Sequence, residues 1–323
     1  MAFSSRPCNP NAQDGAKNVF QYLTKLSGHG IITGQHTKTM GLEELCHIEQ
    51  VTGKRPALLG FELLSYSPNI NYTDTDQECM DEVMGNYGTL RRAWEWAAQK
   101  GLITFTWHWF SPLGGRSKSF FMNNTDFDAR KALQEGTREH RAFLSDLDCM
   151  AGILRPFCDK GVPILWRPFH EADGNWFWWG AGVIGSENAI ALYRLMFQRF
   201  TQVHHLDNLL WVWNSPRSQD YPGDDVVDFI SRDMYPEPHA HTAHEEKLSE
   251  LKNVTAADKP ALIGEIGTIP SVEALESSRS KWISYMTWCG DFCLKESFTD
   301  NEELNLMYHH PWAVTLDKLP RLY

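Results

Sequence analysis

Eight short apolar runs, all but the fifth followed by a stretch of helical spacing, recur along the whole chain, and this alternation restricts the fold more than any single motif does. The runs lie at 30–35, 57–62, 102–108, 162–167, 209–214, 227–233, 261–265 and 283–288. Each is too short for a helix and rich in Val, Ile, Leu or aromatic residues, as strands buried on both faces of a parallel sheet must be. Helical periodicity occupies 40–51, 87–100, 128–160, 186–205, 243–257, 272–281 and 302–308, and an additional helix at 14–26 precedes the first strand. Strand and helix alternate over all 323 residues with no Pro- or Ser-rich linker and no repeat. The pattern predicts an α/β protein with a single (β/α)8 barrel (TIM barrel) domain over 1–323, and argues against a two-domain doubly wound chain. Between the fifth and sixth strands, Pro222-Gly-Asp-Asp225 leaves room for a single helical turn.

Composition removes several classes of function. The chain carries 30 Lys and Arg against 41 Asp and Glu, a net charge of -11. That balance repels a phosphate backbone and no local basic patch reverses it, so nucleic acid is not an expected partner. No run of about eighteen apolar residues occurs, and the first residues lack the basic-then-apolar order of a signal peptide, so neither a membrane span nor an intact leader is expected. Cys8, Cys46, Cys79, Cys149, Cys158, Cys289 and Cys293 are scattered and never spaced as CxxC. They read as free thiols rather than a zinc ribbon or disulfide framework, with Cys289 and Cys293 spaced to form a pair. Sequons at Asn71, Asn123 and Asn253 matter only on a eukaryotic secretory route. Thirteen Trp, many beside other aromatics, favour carbohydrate binding, because flat apolar rings stack on the C–H faces of sugars. The alternating pair Trp211 and Trp213 reads as core.

In a barrel of this kind the active site lies at the C-terminal ends of the strands. There stand Gln35 and His36, Glu62, Trp107 and His108, Arg167, His170 and Glu171, Asn214, Asp233 and Tyr235, Glu265, and Trp288. This is an inventory suited to a sugar. Glu171 after the fourth run and Glu265 at the end of the seventh lie roughly across the barrel mouth. A glycosidase needs such a pair, one carboxyl protonated as general acid and one ionised. Either glutamate alone would read as an ion-paired barrel residue; together, flanked by His170, Asn214, Tyr235 and aromatics, they predict a catalytic pair.

The motifs Trp166-Arg-Pro-Phe-His-Glu171, Gly174-Asn-Trp-Phe-Trp-Trp-Gly180 and Gly264-Glu-Ile-Gly267 closely resemble those of glycoside hydrolase family 26, best known for β-mannanases. The resemblance extends to Asp224-Asp225, Asp233-Met-Tyr235, Thr106-Trp-His108, Ile32-Thr-Gly-Gln35 and Thr52-Gly-Lys-Arg-Pro56, nearly the whole chain. It implies a retaining endo-acting hydrolase of β-1,4-mannosidic bonds, with Glu171 as acid/base and Glu265 as nucleophile. Tyr235 would donate to the nucleophile, Arg167 would hold it, and His170 would stand beside the acid/base. His108 and Trp288 would line the subsite of the reacting sugar, and Trp176 would form the aromatic platform beside the cleavage point. A nucleophile at Glu265 requires carboxyl groups roughly 5–5.5 Å apart, against roughly 6.5–9.5 Å for an inverting pair. Glu62 stands where the family usually carries Asp, a longer carboxylate expected to reshape the outer subsites and to leave β-1,3-xylan and mixed-linkage glucan as alternative substrates.

A metal-dependent barrel hydrolase built on His36, His108 and His170 is the competing enzyme reading. The His-x-His pair usual on a first strand is missing, so neither metal nor cofactor is expected. A sugar-binding barrel without catalysis is disfavoured by the presence of both glutamates. His239, His241 and His244 read as incidental loop histidines. The expected partner is a β-linked polysaccharide or oligosaccharide, the expected state a monomer. Export is expected because polymers do not cross membranes, with cytoplasmic processing of imported oligosaccharides as the alternative.

Overall fold

The computed structural model of the chain describes residues 4, 6–38 and 40–323. The expectation that the N-terminus holds no leader rests partly on residues outside these. Among the described residues, ten parallel strands form one curled sheet: β1 (Ile31–Ile32), β2 (Gly34–His36), β3 (Leu58–Glu62), β4 (Leu102–Thr106), β5 (Ile164–Arg167), β6 (Leu209–Asn214), β7 (Phe229–Met234), β8 (Ala261–Ile266), β9 (Trp282–Ser284) and β10 (Ala313–Val314). The expected eight become ten because the first splits at Thr33 and because β10 adds a short piece beside β1. Ile32 pairs with Ser284 of β9 while Gly34 pairs with Leu58 of β3. Thr33 alone separates those two pairings, so the two ends of the sheet are halves of one strand and the barrel closes.

Helices occupy the outside: α1 (Asp14–Leu26), α2 (Glu43–Thr52), α3 (Gln77–Gly85), α4 (Thr89–Ala98), α5 (Arg138–Asp159), α6 (Ala181–Ile184), α7 (Ser186–Gln198), α8 (Glu245–Lys252), α9 (Val272–Ser278), α10 (Asp291–Leu294) and α11 (Asn301–His309). Helix α3 was not expected; Asp76 starts it by accepting the Cys79 N–H at 2.8 Å. Helix α5 begins ten residues later than its periodicity suggests, because Gly136 turns the chain with φ +85° and Thr137 caps the helix by accepting the His140 N–H at 3.0 Å. Between β6 and β7 only the 3-10 turn Ser218–Asp220 is present, the single turn for which Pro222-Gly223 leaves room.

Two apolar layers hold these elements. Outward strand residues such as Phe61, Phe105, Trp166, Trp211 and Trp213 are buried beneath the helices. Inside, Leu58, Leu102, Leu165, Leu210, Phe229 and Leu262 fill the barrel's lower end together with Ala16, Val19, Phe20 and Leu23 of α1, which recur at helical spacing. The Gln13 N–H donates to the Asp207 carbonyl at 2.8 Å, just before β6, and seats α1 across the strand starts. Burial of each such large side chain contributes about 1.5–3 kcal/mol. With that end plugged, polar side chains collect at the other. No described helix is long and apolar enough to cross a membrane. All seven cysteines are free, Cys289 and Cys293 included.

Candidate active site

Parallel strands point alternate side chains inward, so the last inward positions of β3 to β8 converge at one mouth. Glu265 reaches it through an irregularity. Arg232 pairs with Ile263 but Asp233 pairs with Glu265, leaving Gly264 as an extra residue in β8. A Cβ on Gly264 would lie 2.4 Å from Asp233 Oδ1 and 2.8 Å from Asn214 Nδ2, so this position also faces inward and admits only glycine. The bulge therefore brings two successive positions to the interior and aims Glu265 at the site.

Arg167, 2% exposed, organises the carboxylates. Its Nη1 donates to Asp233 Oδ2 at 2.9 Å, its Nη2 donates to Thr106 Oγ1 at 2.8 Å, and Nη2 also donates to Glu265 Oε1. The Tyr235 hydroxyl donates to the other Glu265 oxygen at 2.7 Å. Glu171 follows the end of β5 in left-handed backbone, φ +51°, with its N–H donating to Asn214 Oδ1 at 2.6 Å. The Trp176 indole donates to Glu171 Oε2 at 2.7 Å. Carboxylate oxygens of Glu171, Asp233 and Glu265 lie within 4.8 Å of one another. Burial, then the nearby Glu265 charge, raises the Glu171 carboxyl above its ordinary range. Burial pushes Asp233 well up too, against the pull of Arg167. One guanidinium faces three carboxyl groups, which favours keeping a proton among them.

A second network lies beside the first. His108 Nδ1 donates to Glu62 Oε2 at 2.7 Å, and the His108 backbone N–H donates to Glu62 Oε1 at 2.8 Å. Burial alone would push His108 down, but the Glu62 carboxylate raises it overall. Burial, then the charges of His108 and Arg167, depresses His170 well below the usual imidazole range. The two Nε2 atoms are 3.1 Å apart, close enough for one ring to donate to the other. The 3% exposed Glu62 carboxylate orients His108 and has three backbone and side-chain donors, including the Leu64 N–H at 3.0 Å.

The structure brings Glu171, Glu265, His108, Arg167, His170, Trp176, Asn214, Asp233 and Tyr235 together, with Trp288 on the wall. Trp288 stacks on His36 at 4.1 Å, and both line a cavity of about 600 Å³ with Glu62 and His108. Helix α3 supplies the far side of that cavity with Glu78, Asp81 and Glu82. These residues escaped the sequence reading, although Asp76 with Glu78 two residues on marked a helix start. A smaller cavity on the opposite side is lined by Glu171, Asp173, Trp176, Asn214 and Arg232. Trp107 does not reach the mouth: it is 2% exposed, stacked on Trp109 at 4.1 Å, and donates to Ser67 Oγ at 2.8 Å. Phe177, Trp178 and Trp179 are buried, and the Trp179 indole donates to the His170 carbonyl at 2.9 Å, fixing the turn that presents Glu171.

A family model described as glycosyl hydrolase family 26 matches residues 8–318. A mannan endo-1,4-beta-mannosidase of Thermothelomyces thermophilus is 31% identical over 319 residues, which is 96% of this chain and 62% of that relative. The crystal structure of a Podospora anserina GH26-CBM35 beta-(1,4)-mannanase matches with a TM-score of 0.87 and 33% identity, over 98% of this chain and 69% of that one. A beta-mannanase from a symbiotic protist of the termite Reticulitermes speratus, complexed with gluco-manno-oligosaccharide, matches with a TM-score of 0.87 and 28% identity over 99% of both chains. The chain spans 62%, 53% and 50% of the lengths of the first three curated relatives it matches.

Proposed function

Because the chain belongs to glycosyl hydrolase family 26, we propose that it cleaves β-1,4-mannosidic bonds within mannan or a mannan-containing hemicellulose, by double displacement with retention. The observation that carries the reading is the carboxylate pair: Glu171 and Glu265 present oxygens within 4.8 Å of each other. Such proximity favours direct attack on the anomeric carbon over the intervening water that an inverting enzyme needs. The relatives named as mannanases, one complexed with gluco-manno-oligosaccharide, support mannan as the polymer.

In this reading Glu171, whose carboxyl burial raises above its ordinary range, gives its proton to the leaving oxygen while Glu265 attacks the anomeric carbon. Arg167 and Tyr235 donate to the two Glu265 oxygens and fix the carboxylate for attack. Loss of its proton leaves Glu171 as the base that activates water for the second displacement. The larger cavity, with its His36 and Trp288 wall, would hold the sugars on the reacting-sugar side, and Trp176 would carry the leaving sugar. We propose also that the enzyme works outside the cell, since its substrate is a polymer, and that it is a monomer.

Product analysis on mannan, galactomannan, β-1,3-xylan and mixed-linkage glucan tests the proposal. Internal cuts in mannan and galactomannan support it. Hydrolysis of xylan or mixed-linkage glucan with none of mannan would overturn it.

A further inference from the structure

Three loops meet outside the carboxylate cluster, beyond Tyr235. In the loop after β7, the Glu237 carbonyl accepts the Thr268 hydroxyl at 3.4 Å and the His239 N–H donates to the Phe298 carbonyl at 3.0 Å. The Ile269 N–H donates to Thr299 Oγ1 at 3.2 Å and ties the loop after β8 to the segment before α11. This junction places His239 and His241 of the first loop against Asp300, the residue that caps α11 by accepting the Glu303 N–H at 2.8 Å. One donor atom from each of the three residues lies within 4.8 Å of the other two.

The tautomer of His241 is decided by its partner. Nδ1 stands 2.8 Å from the Ile269 carbonyl oxygen, which only accepts, so Nδ1 carries the proton and Nε2 offers a lone pair. That Nε2 is buried and has no hydrogen-bond partner. An imidazole oriented through Nδ1–H by a backbone carbonyl, with Nε2 bare, is how proteins set a metal-ligating histidine. We propose that His239, His241 and Asp300 bind a zinc ion that staples the β7 loop to the start of α11, apart from the reacting centre.

The donor set selects the metal. Two imidazoles and a carboxylate are borderline ligands suited to zinc, whereas calcium and magnesium prefer oxygen throughout. Zinc bonds of roughly 2.0–2.2 Å put tetrahedral donors about 3.4 Å apart. His239 Nδ1 and Asp300 Oδ2 are 3.9 Å apart, and both side chains are 47% exposed, so a small side-chain rotation closes the difference while Asp300 Oδ1 keeps the helix cap. Water completes the coordination from the solvent side. The ion does no chemistry on the sugar; it fixes the loop that carries Tyr235.

The test is calorimetric titration of the chelator-treated full chain with zinc chloride, with thermal melts in zinc and in chelator. One zinc per chain is expected, with a zinc-dependent rise in Tm. His239→Ala, His241→Ala and Asp300→Asn should each weaken binding at least tenfold and abolish that rise, while Glu171→Gln leaves both unchanged. His239 is exposed, so His239→Ala should fold even if His241→Ala does not, and Asp300→Asn keeps the helix cap. The proposal fails if the wild type binds no zinc up to millimolar concentration, if His239→Ala and Asp300→Asn bind as the wild type does, or if binding is lost only in Glu171→Gln.

Discussion

Trp176 donates its indole N–H to Glu171 Oε2 at 2.7 Å from a ring that is 42% exposed. One side chain therefore offers a stacking face and also stabilises the charged form of the acid, opposing the burial that raises Glu171. Trp176→Phe keeps a face and removes the donor. The Glu171 carboxyl should then rise further, moving the alkaline limb of the kcat/KM profile upward by on the order of one pH unit. Trp176→Ala should in addition raise KM for mannan. An alkaline limb that stays put in Trp176→Phe would show that another group sets it.

A general acid matters in proportion to how badly the leaving group needs a proton. Glu171→Ala should nearly abolish cleavage of mannan, whereas an aryl mannoside with an acidic phenol should keep its first step. Deglycosylation then limits turnover, and added azide should restore it by replacing the water that lacks a base. Equal losses on both substrates would remove Glu171 from this role.

Among the described residues, only Arg167 donates to both Asp233 and Glu265, whose side chains are 3% and 5% exposed. Replacing it by Met leaves two buried carboxylates without their cation, a loss of about 3–5 kcal/mol in stability. Urea unfolding of Arg167→Met should show that loss together with loss of activity. Adding Asp233→Asn, which removes one of the stranded charges, should recover part of the stability but not the activity. A variant as stable as the parent would mean that the carboxyl groups share protons well enough to need no guanidinium.

The alternation of short apolar runs with helical segments made the barrel legible, because parallel strands buried on both faces leave few other arrangements. Once the barrel is known, strand ends fall at one mouth, so Arg167, Glu171 and Glu265 could be grouped from sequence. Other features depend on neighbours that sequence does not show. The bulge at Gly264 is a mismatch between β7 and β8, visible only in their pairing. The reach of Glu62 to His108 depends on the pairing of adjacent strands, which the sequence does not show. Helix α3 buries only Cys79 and Val83, too few apolar positions to produce a periodic signal. Trp107 looked like a mouth residue because it ends a strand, but its indole turns outward onto Trp109.

Double displacement through Glu265 has a stereochemical signature. Proton NMR of a fresh hydrolysate should show the β-anomer first, with the α-anomer growing in by mutarotation. In methanol-containing buffer a methyl β-mannoside should form, since a covalent intermediate can be captured by an alcohol. An α-anomer appearing first would require an inverting mechanism and reassign Glu265 as a base.

Asp146 on α5 lies far from this chemistry and controls a different observable. It is 2% exposed and accepts the Trp109 indole N–H at 2.8 Å and the Asn69 amide at 2.9 Å. Burial nonetheless pushes its carboxyl up to about 7. In the unfolded chain it titrates near its ordinary value of about 3.9. Below about pH 4 both states are protonated and the group is neutral to stability. As pH rises from about 4 to about 7, the unfolded state releases its proton while the folded state retains it, so the fold loses stability across that window and loses no more above it. Asp146→Asn removes the titration and keeps an oxygen for Trp109. The Tm of Asp146→Asn relative to wild type should therefore climb between pH 4 and pH 7 and then level off, other titrating groups cancelling in the difference. A difference in Tm that is constant across the window would mean that Asp146 is ionised in the folded protein throughout, held by Trp109 and Asn69 against its burial.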